Sequence, residues 1–341
     1  MLAWLRRRPT PPDAPAPPAA PARAEAVLRR LEWTVIKRLD GLLQGDHRTL
    51  LRGTGLDLAD LREYQLHDDV RHIDWNVTAR LQTPYVRQFL EDRDMTAWFL
   101  LDLSGSVDFG SGDVTKLAVS SGFVATLARV ITRHGNRAGA VLYGQRVDTV
   151  LPPRSSRAHV LELLARMRMP RAKAAPGAKP GGTSLAELLQ MADGVMKRRS
   201  LVFVVSDFIS APGWGDALAR LARRHEVVAV RLWDPMEMAL PDVGLVTVED
   251  AETGEQLFID AADPAFRERY AAIAEQQEEA LFAELGRSGA DVIELATDDD
   301  LLQALLRLSD LRRLRARQGA PVRGPASLQR ARPAPAAAPA P

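Results

Sequence analysis

The sequence predicts an α/β fold: a doubly wound, mostly parallel sheet with a small β-rich insertion preceding it. Three observations carry this expectation. Beyond position 96, short apolar runs alternate with longer amphipathic segments, which is the order that a parallel sheet with crossover helices produces. The run Leu201 to Val205 (LVFVV) is apolar throughout, as in a strand covered by helices on both faces. Residues 45–95 break the alternation, with glycines, a proline and β-favouring residues but few helical stripes.

In chain order, Pro9 to Pro21 (PTPPDAPAPPAAP) lacks backbone donors and buriable surface, so residues 1–22 read as a disordered Pro/Ala-rich extension. Within 23–44, Val27, Leu28, Leu31, Val35, Leu39 and Leu42 recur at helical spacing, which predicts an amphipathic helix. Residues 45–95 form the β-rich module. Its charges Arg62, Glu63, Asp68, Asp69, Arg71, Asp74 and Arg80 fit a hydrogen-bonded network, with Tyr64 and Trp75 as core anchors. The α/β domain takes 96–317. Its expected strands are Thr96 to Leu101, Arg137 to Tyr143, Leu201 to Ser206, Val227 to Leu232, Leu245 to Glu249 and Asp291 to Leu295. Helical spacing marks Val114 to Arg133, Arg157 to Met167, Leu185 to Lys197, Trp214 to Arg223 and Pro264 to Leu285. Residues 318–341 return to the Pro/Ala-rich pattern and read as a disordered tail.

Composition narrows the function classes. The 341 residues hold 45 Lys plus Arg against 44 Asp plus Glu, a balance that does not favour nucleic acid as the partner. With no cysteine, disulfides, thiolate metal sites and thiol nucleophiles are all excluded, which suits the cytoplasm. Met1 to Arg8 (MLAWLRRR) puts its apolar residues ahead of its charges, the reverse of a secretory signal. Apolar runs such as Ala97 to Leu101 fall far short of the roughly 18 to 20 residues that a membrane span needs.

A doubly wound sheet places its ligand site beyond the carboxyl ends of its strands, so the residues that directly follow strands carry the chemistry. Asp102, Ser104 and Ser106 form a D-x-S-x-S arrangement on a strand-to-loop turn, where alternate residues share a side. Thr183 follows a glycine pair in GGTSLAELL, and Asp207 follows LVFVVS. All five are oxygen donors. Such a set selects hard cations, and few protein ligands completed by water suit Mg²⁺ or Mn²⁺ better than Ca²⁺. Taken singly, these residues also read as turn formers and helix caps: Thr183 or Ser184 as an N-cap, Asp207 as a loop acid.

Together these motifs resemble the metal-ion-dependent adhesion site of von Willebrand factor A domains. The resemblance implies direct ligation by Ser104, Ser106 and Thr183, with Asp102 and Asp207 bound directly or through water. Leu61 to Trp75 (LREYQLHDDVRHIDW), Thr78 to Arg80 and Val86 to Phe89 are similar to the bacterial family of unknown-function proteins whose partners are MoxR-type AAA+ ATPases. The likeness covers roughly Gly45 to Ser210, departing at Leu66-His67, where the family often has Pro-Gly. It implies a chaperone-like adaptor that binds protein through a metal ion and works with such an ATPase on a client.

An enzyme is not expected. The chain has no G-x-x-x-x-G-K-[ST] loop for ATP. A haloacid-dehalogenase-like phosphotransferase would use Asp102 as nucleophile and the acids Asp298 to Asp300 on the metal. It would need a carboxylic acid where Ser104 stands, since a hydroxyl cannot protonate a leaving group near neutral pH. A metal-free structural scaffold is the third reading.

Overall fold

A computed structural model describes residues 57–65, 70, 73–90, 95–144, 147–169, 184–249 and 256–318. The extension and helix expected at 1–44 lie outside these residues, as do Thr183, Asp68, Asp69, Arg71 and the tail apart from Gln318.

The sequence 45–95 contributes an antiparallel pair, β1 (Asp57–Glu63) and β2 (Tyr85–Leu90), with a short helix α1 (Trp75–Leu81) between them. Asp74 starts that helix, its carboxylate accepting from the backbone N–H groups of Asn76 and Val77 at 3.0 and 3.2 Å, which satisfies two of the first-turn donors. Trp75 is no core anchor. It is 69 % exposed, because α1 buries none of its residues; the buried residue at this point is the cap, Asp74.

The main sheet has six strands in the order β10-β7-β6-β3-β4-β5. In sequence these are β3 (Thr96–Asp102), β4 (Arg137–Tyr143), β5 (Val147–Arg154), β6 (Leu201–Ser206), β7 (Glu226–Trp233) and β10 (Asp291–Ala296). All neighbours are parallel except β4 and β5. Strand β5 was not expected, because Pro152 and Pro153 argue against a strand interior. It lies on the sheet edge, where a missing N–H donor is tolerated. Leu245 to Glu249 is indeed a strand, β8, but it pairs with β9 (Gln256–Asp260) in a separate two-stranded hairpin and not with the main sheet.

Alternation along the strands builds two cores. Phe99, Leu101, Phe203 and Val205 face the helices α2 (Lys116–Arg133), α3 (Arg157–Met167) and α8 (Leu301–Gln318). Trp98, Leu100, Val202 and Val204 face α4 (Leu185–Val195), α5 (Trp214–Arg224) and α7 (Pro264–Ser288). A four-residue helix, α6 (Pro235–Met238), follows β7. The Phe99 and Phe203 rings stack at 5.3 Å between adjacent strands. Each such buried ring contributes on the order of 2 to 3 kcal/mol. Beyond β3 the chain moves to β4 on one side and returns to β6 on the other. The strand order therefore reverses between β3 and β6, which is the point at which sheets of this kind open a crevice beyond the carboxyl ends of their strands.

Candidate metal centre at the switch point

Asp102 is the last residue of β3, Ser206 is the last of β6, and Asp207 follows it. All three are buried, as are Ser104 and Ser106. Asp102 Oδ1 accepts from the Ser104 N–H at 3.0 Å and Oδ2 accepts from the Ser206 hydroxyl at 2.6 Å. That hydroxyl accepts in turn from the Phe208 N–H at 2.8 Å. Phe208 has φ +59°, a left-handed conformation that a non-glycine residue adopts at a cost of about 1 to 2 kcal/mol. Its ring, packed on Trp214 at 5.2 Å, holds it there.

Ser106 lies in a 3₁₀ turn spanning Gly105–Asp108, which brings its hydroxyl 3.1 Å from that of Ser104. Adjacent corners of an octahedral Mg²⁺ shell, with bonds of about 2.0 to 2.1 Å, are separated by roughly 2.9 Å. The two hydroxyls thus have the spacing of neighbouring ligands. Among the described residues, no three His, Cys, Asp or Glu side chains converge as a metal-ligand set.

A feature that the sequence reading missed lies beside Asp207. Lys116, fully buried at the start of α2, places its ammonium 2.9 Å from Asp207 Oδ2 and 2.6 Å from Glu237 Oε1. Glu237 Oε2 accepts from the Asp234 N–H at 2.9 Å. The Asp234 carboxylate accepts from the Ser111 N–H at 2.9 Å and from the Thr297 hydroxyl at 2.6 Å. Residues following β3, β6, β7 and β10 are stitched together in this way.

Asp207 and Glu237 hold the one ammonium, and Asp102 adds a third carboxylate near enough to Asp207 to be repelled by it, so the group carries excess negative charge when all are ionised. Burial, and then repulsion from Asp207, raises the Asp102 pKa to about 6, against the hydrogen bonds from Ser206 and Ser104. Burial also raises Glu237, although Lys116 opposes it. For Lys116, burial favours the neutral amine, but Asp207 and Glu237 outweigh it and its pKa stands above the ordinary value. Asp234 runs the other way: burial is overcome by its hydrogen bonds from Ser111, Thr297 and Met236, and its pKa falls. A divalent cation would relieve the excess charge.

The structure brings Asp102, Ser104, Ser106 and Asp207 to this crevice. Thr183 lies outside the described residues, but the next two residues are tied to the same end of the sheet. The Ser184 N–H donates to Tyr143 Oη at 3.1 Å, and the Leu185 N–H donates to Ser210 Oγ at 2.8 Å. Ser184 itself is the N-cap of α4, accepting from the Glu187 N–H at 3.4 Å. The acids Asp298 to Asp300 sit after β10, three strands from β3 and hence roughly 14 Å away across the sheet. Two of them serve local structure: Asp299 accepts from the Ala296 N–H and Asp300 from the Leu302 N–H.

Fold and crevice define an α/β protein whose oxygen-rich, negatively charged site lies at a topological switch point. The chain belongs to a family described as a protein of unknown function, DUF58, whose model matches residues 60–280. Uncharacterized proteins of Mycobacterium tuberculosis and Mycobacterium bovis are each 36% identical over 297 residues, covering 86% of this chain and 91% of the relative. Among solved structures, the conserved hypothetical protein BatB of Bacteroides thetaiotaomicron is similar at 12% identity and a TM-score of 0.40, over 64% of this chain and 99% of that one. The VWA domain of SpRpn10 is similar at 13% identity and a TM-score of 0.33, over 63% and 95%.

Proposed function

We propose that this protein is a non-enzymatic, metal-dependent protein-binding adaptor that works with a MoxR-type AAA+ ATPase on a client protein. The observation that carries the reading is the paired Ser104 and Ser106 hydroxyls, 3.1 Å apart beside a buried Asp102 in a site with excess negative charge. Asp102, Ser104 and Ser106 would hold Mg²⁺ or Mn²⁺, with Thr183 completing the set and Asp207 acting directly or through water. The bound ion supplies a positive centre for an incoming carboxylate. Neutral hydroxyls leave its charge undercompensated, so an Asp or Glu of a partner is the natural ligand. The ATPase partnership rests on the sequence resemblance alone, and hydrolysis of ATP belongs to that partner.

Mg²⁺ should raise the melting temperature through ligand linkage. Asp102→Ala should abolish that shift, as read by thermal denaturation with and without the ion. An identical shift in wild type and variant would overturn the assignment of Asp102.

A further inference from the structure

We propose that Lys116 is a tethered cation that holds Asp207 off the metal, so that the ion binds through Asp102 and the serine hydroxyls and stays electropositive toward an external carboxylate. This deepens the metal-centre reading and rests on it.

The argument begins with where the lysine stands. Lys116 is the first residue of the 18-residue helix α2, where a positive charge opposes the helix dipole. It is also wholly buried, so its position serves neither helix stability nor solvation. Its backbone is pinned, the N–H donating to the Phe109 carbonyl at 2.7 Å. Its ammonium is clamped between Asp207 and Glu237, and Glu237 is held from behind by the Asp234 N–H.

The consequence falls on Asp207. Its Oδ2 accepts from Lys116, while its Oδ1 accepts from the Ile209 N–H at 3.1 Å. A divalent ion that took Asp207 directly would share that carboxylate with the ammonium, two cations on one anion. Among the described residues Asp102 has no such competitor: its hydrogen-bond partners are neutral donors, the Ser104 N–H and the Ser206 hydroxyl. The cluster therefore assigns the two acids different roles. Asp102 neutralises the ion, and Asp207 neutralises Lys116. Lys116 is thus a positioning residue that trades metal affinity for the ion's attraction to an outside acid.

The test compares the full chain with the double variant Lys116→Met/Glu237→Gln, which removes one positive and one negative charge and leaves the net charge unchanged. Mg²⁺ affinity is measured by calorimetry, and the waters on bound Mn²⁺ by proton relaxation. With Asp207 released, Mg²⁺ should bind about tenfold tighter or more, and bound Mn²⁺ should keep about one water fewer. If wild type does not bind Mg²⁺ but the variant does, Lys116 stands in the place of the ion, and both the inference and the metal dependence of the native protein are overturned. Equal affinity and hydration in both proteins overturn the inference and leave the metal reading intact. Binding by neither overturns both. Should the double variant fail to fold, Asp207→Asn in the otherwise native chain decides: a change of less than about threefold in Mg²⁺ affinity supports the inference, and a loss of about tenfold or more overturns it.

Discussion

A hydroxyl that accepts from a backbone N–H has its own proton left to give, and Ser206 gives it to Asp102. One small side chain thereby orients the carboxylate and steadies the left-handed turn at Phe208. Its place at the end of an apolar strand did not announce this, because the partner is 104 positions away. Elsewhere, His225 shows how burial without partners becomes pH sensitivity. The residue is 3 % exposed and neither ring nitrogen has a hydrogen-bond partner among the described residues. Burial lowers its pKa, Arg224 and Arg199 add to the effect, and Asp193 opposes it. Because the unfolded chain binds the proton more readily, this residue's contribution is intact above the unfolded value near 6.5. It is lost as pH falls through the lower folded value, at no more than about 1.4 kcal/mol per pH unit. His225→Phe should remove that part of the acid destabilisation and cost less than about 1 kcal/mol at pH 7.5, since no bonded polar group is lost. Urea midpoints between pH 5 and 7.5 measure both, and a wild-type acid slope retained in the variant would refute the assignment.

Among the elements, the loop from Phe109 to Thr115 matters most for the site, because it carries the chain from Ser106 to Lys116. It is closed by the Lys116 N–H on the Phe109 carbonyl and fastened by the Ser111 N–H on Asp234. Gly110 permits the closure: a Cβ there would lie 2.2 Å from the Val114 carbonyl oxygen and 2.7 Å from the Thr115 Cα. These are backbone atoms, which cannot swing aside as a side-chain tip does. Gly110→Ala should destabilise the protein by about 1 to 3 kcal/mol and weaken Mg²⁺ binding, whereas Gly112→Ala, with open space around its Cβ, should do neither. Chemical denaturation and calorimetry on both variants check this. The same elements mark how far the sequence could be read. Apolar strands and caps are local signals, so β3, β4, β6, β7 and β10 were legible, as was the D-x-S-x-S motif at a strand end. The edge strand β5 was hidden by its prolines, and the hairpin of β8 and β9 because pairing is not written in either strand alone. Lys116, Glu237 and Asp234 escaped because ion pairs 91 and 121 residues apart leave no spacing to detect. One sign was present: a lysine opening a helix against its dipole needs an anion to explain it.

At the scale of the whole molecule, the formal net charge is +1, so no large net charge draws an acidic or basic partner in from a distance. Recognition in the proposed adaptor must then arise at contact, from the metal-bound centre meeting a carboxylate. No helix among the described residues is long and apolar enough to cross a membrane. Chelating the ion and removing one of its ligands should have the same effect on the complex. With a purified MoxR-type AAA+ ATPase and the full chain, EDTA and Ser104→Ala should each lower affinity by roughly tenfold to a few hundredfold, the loss of one charge-assisted contact from a larger interface. The two effects should not add, since each removes the same contact. Added Mg²⁺ should restore the chelated wild type and not the variant, provided circular dichroism shows the variant folded. Affinity unchanged in EDTA would place the ion outside the interface and make the module formed by β1, α1 and β2, with its exposed Trp75, the surface to mutate next.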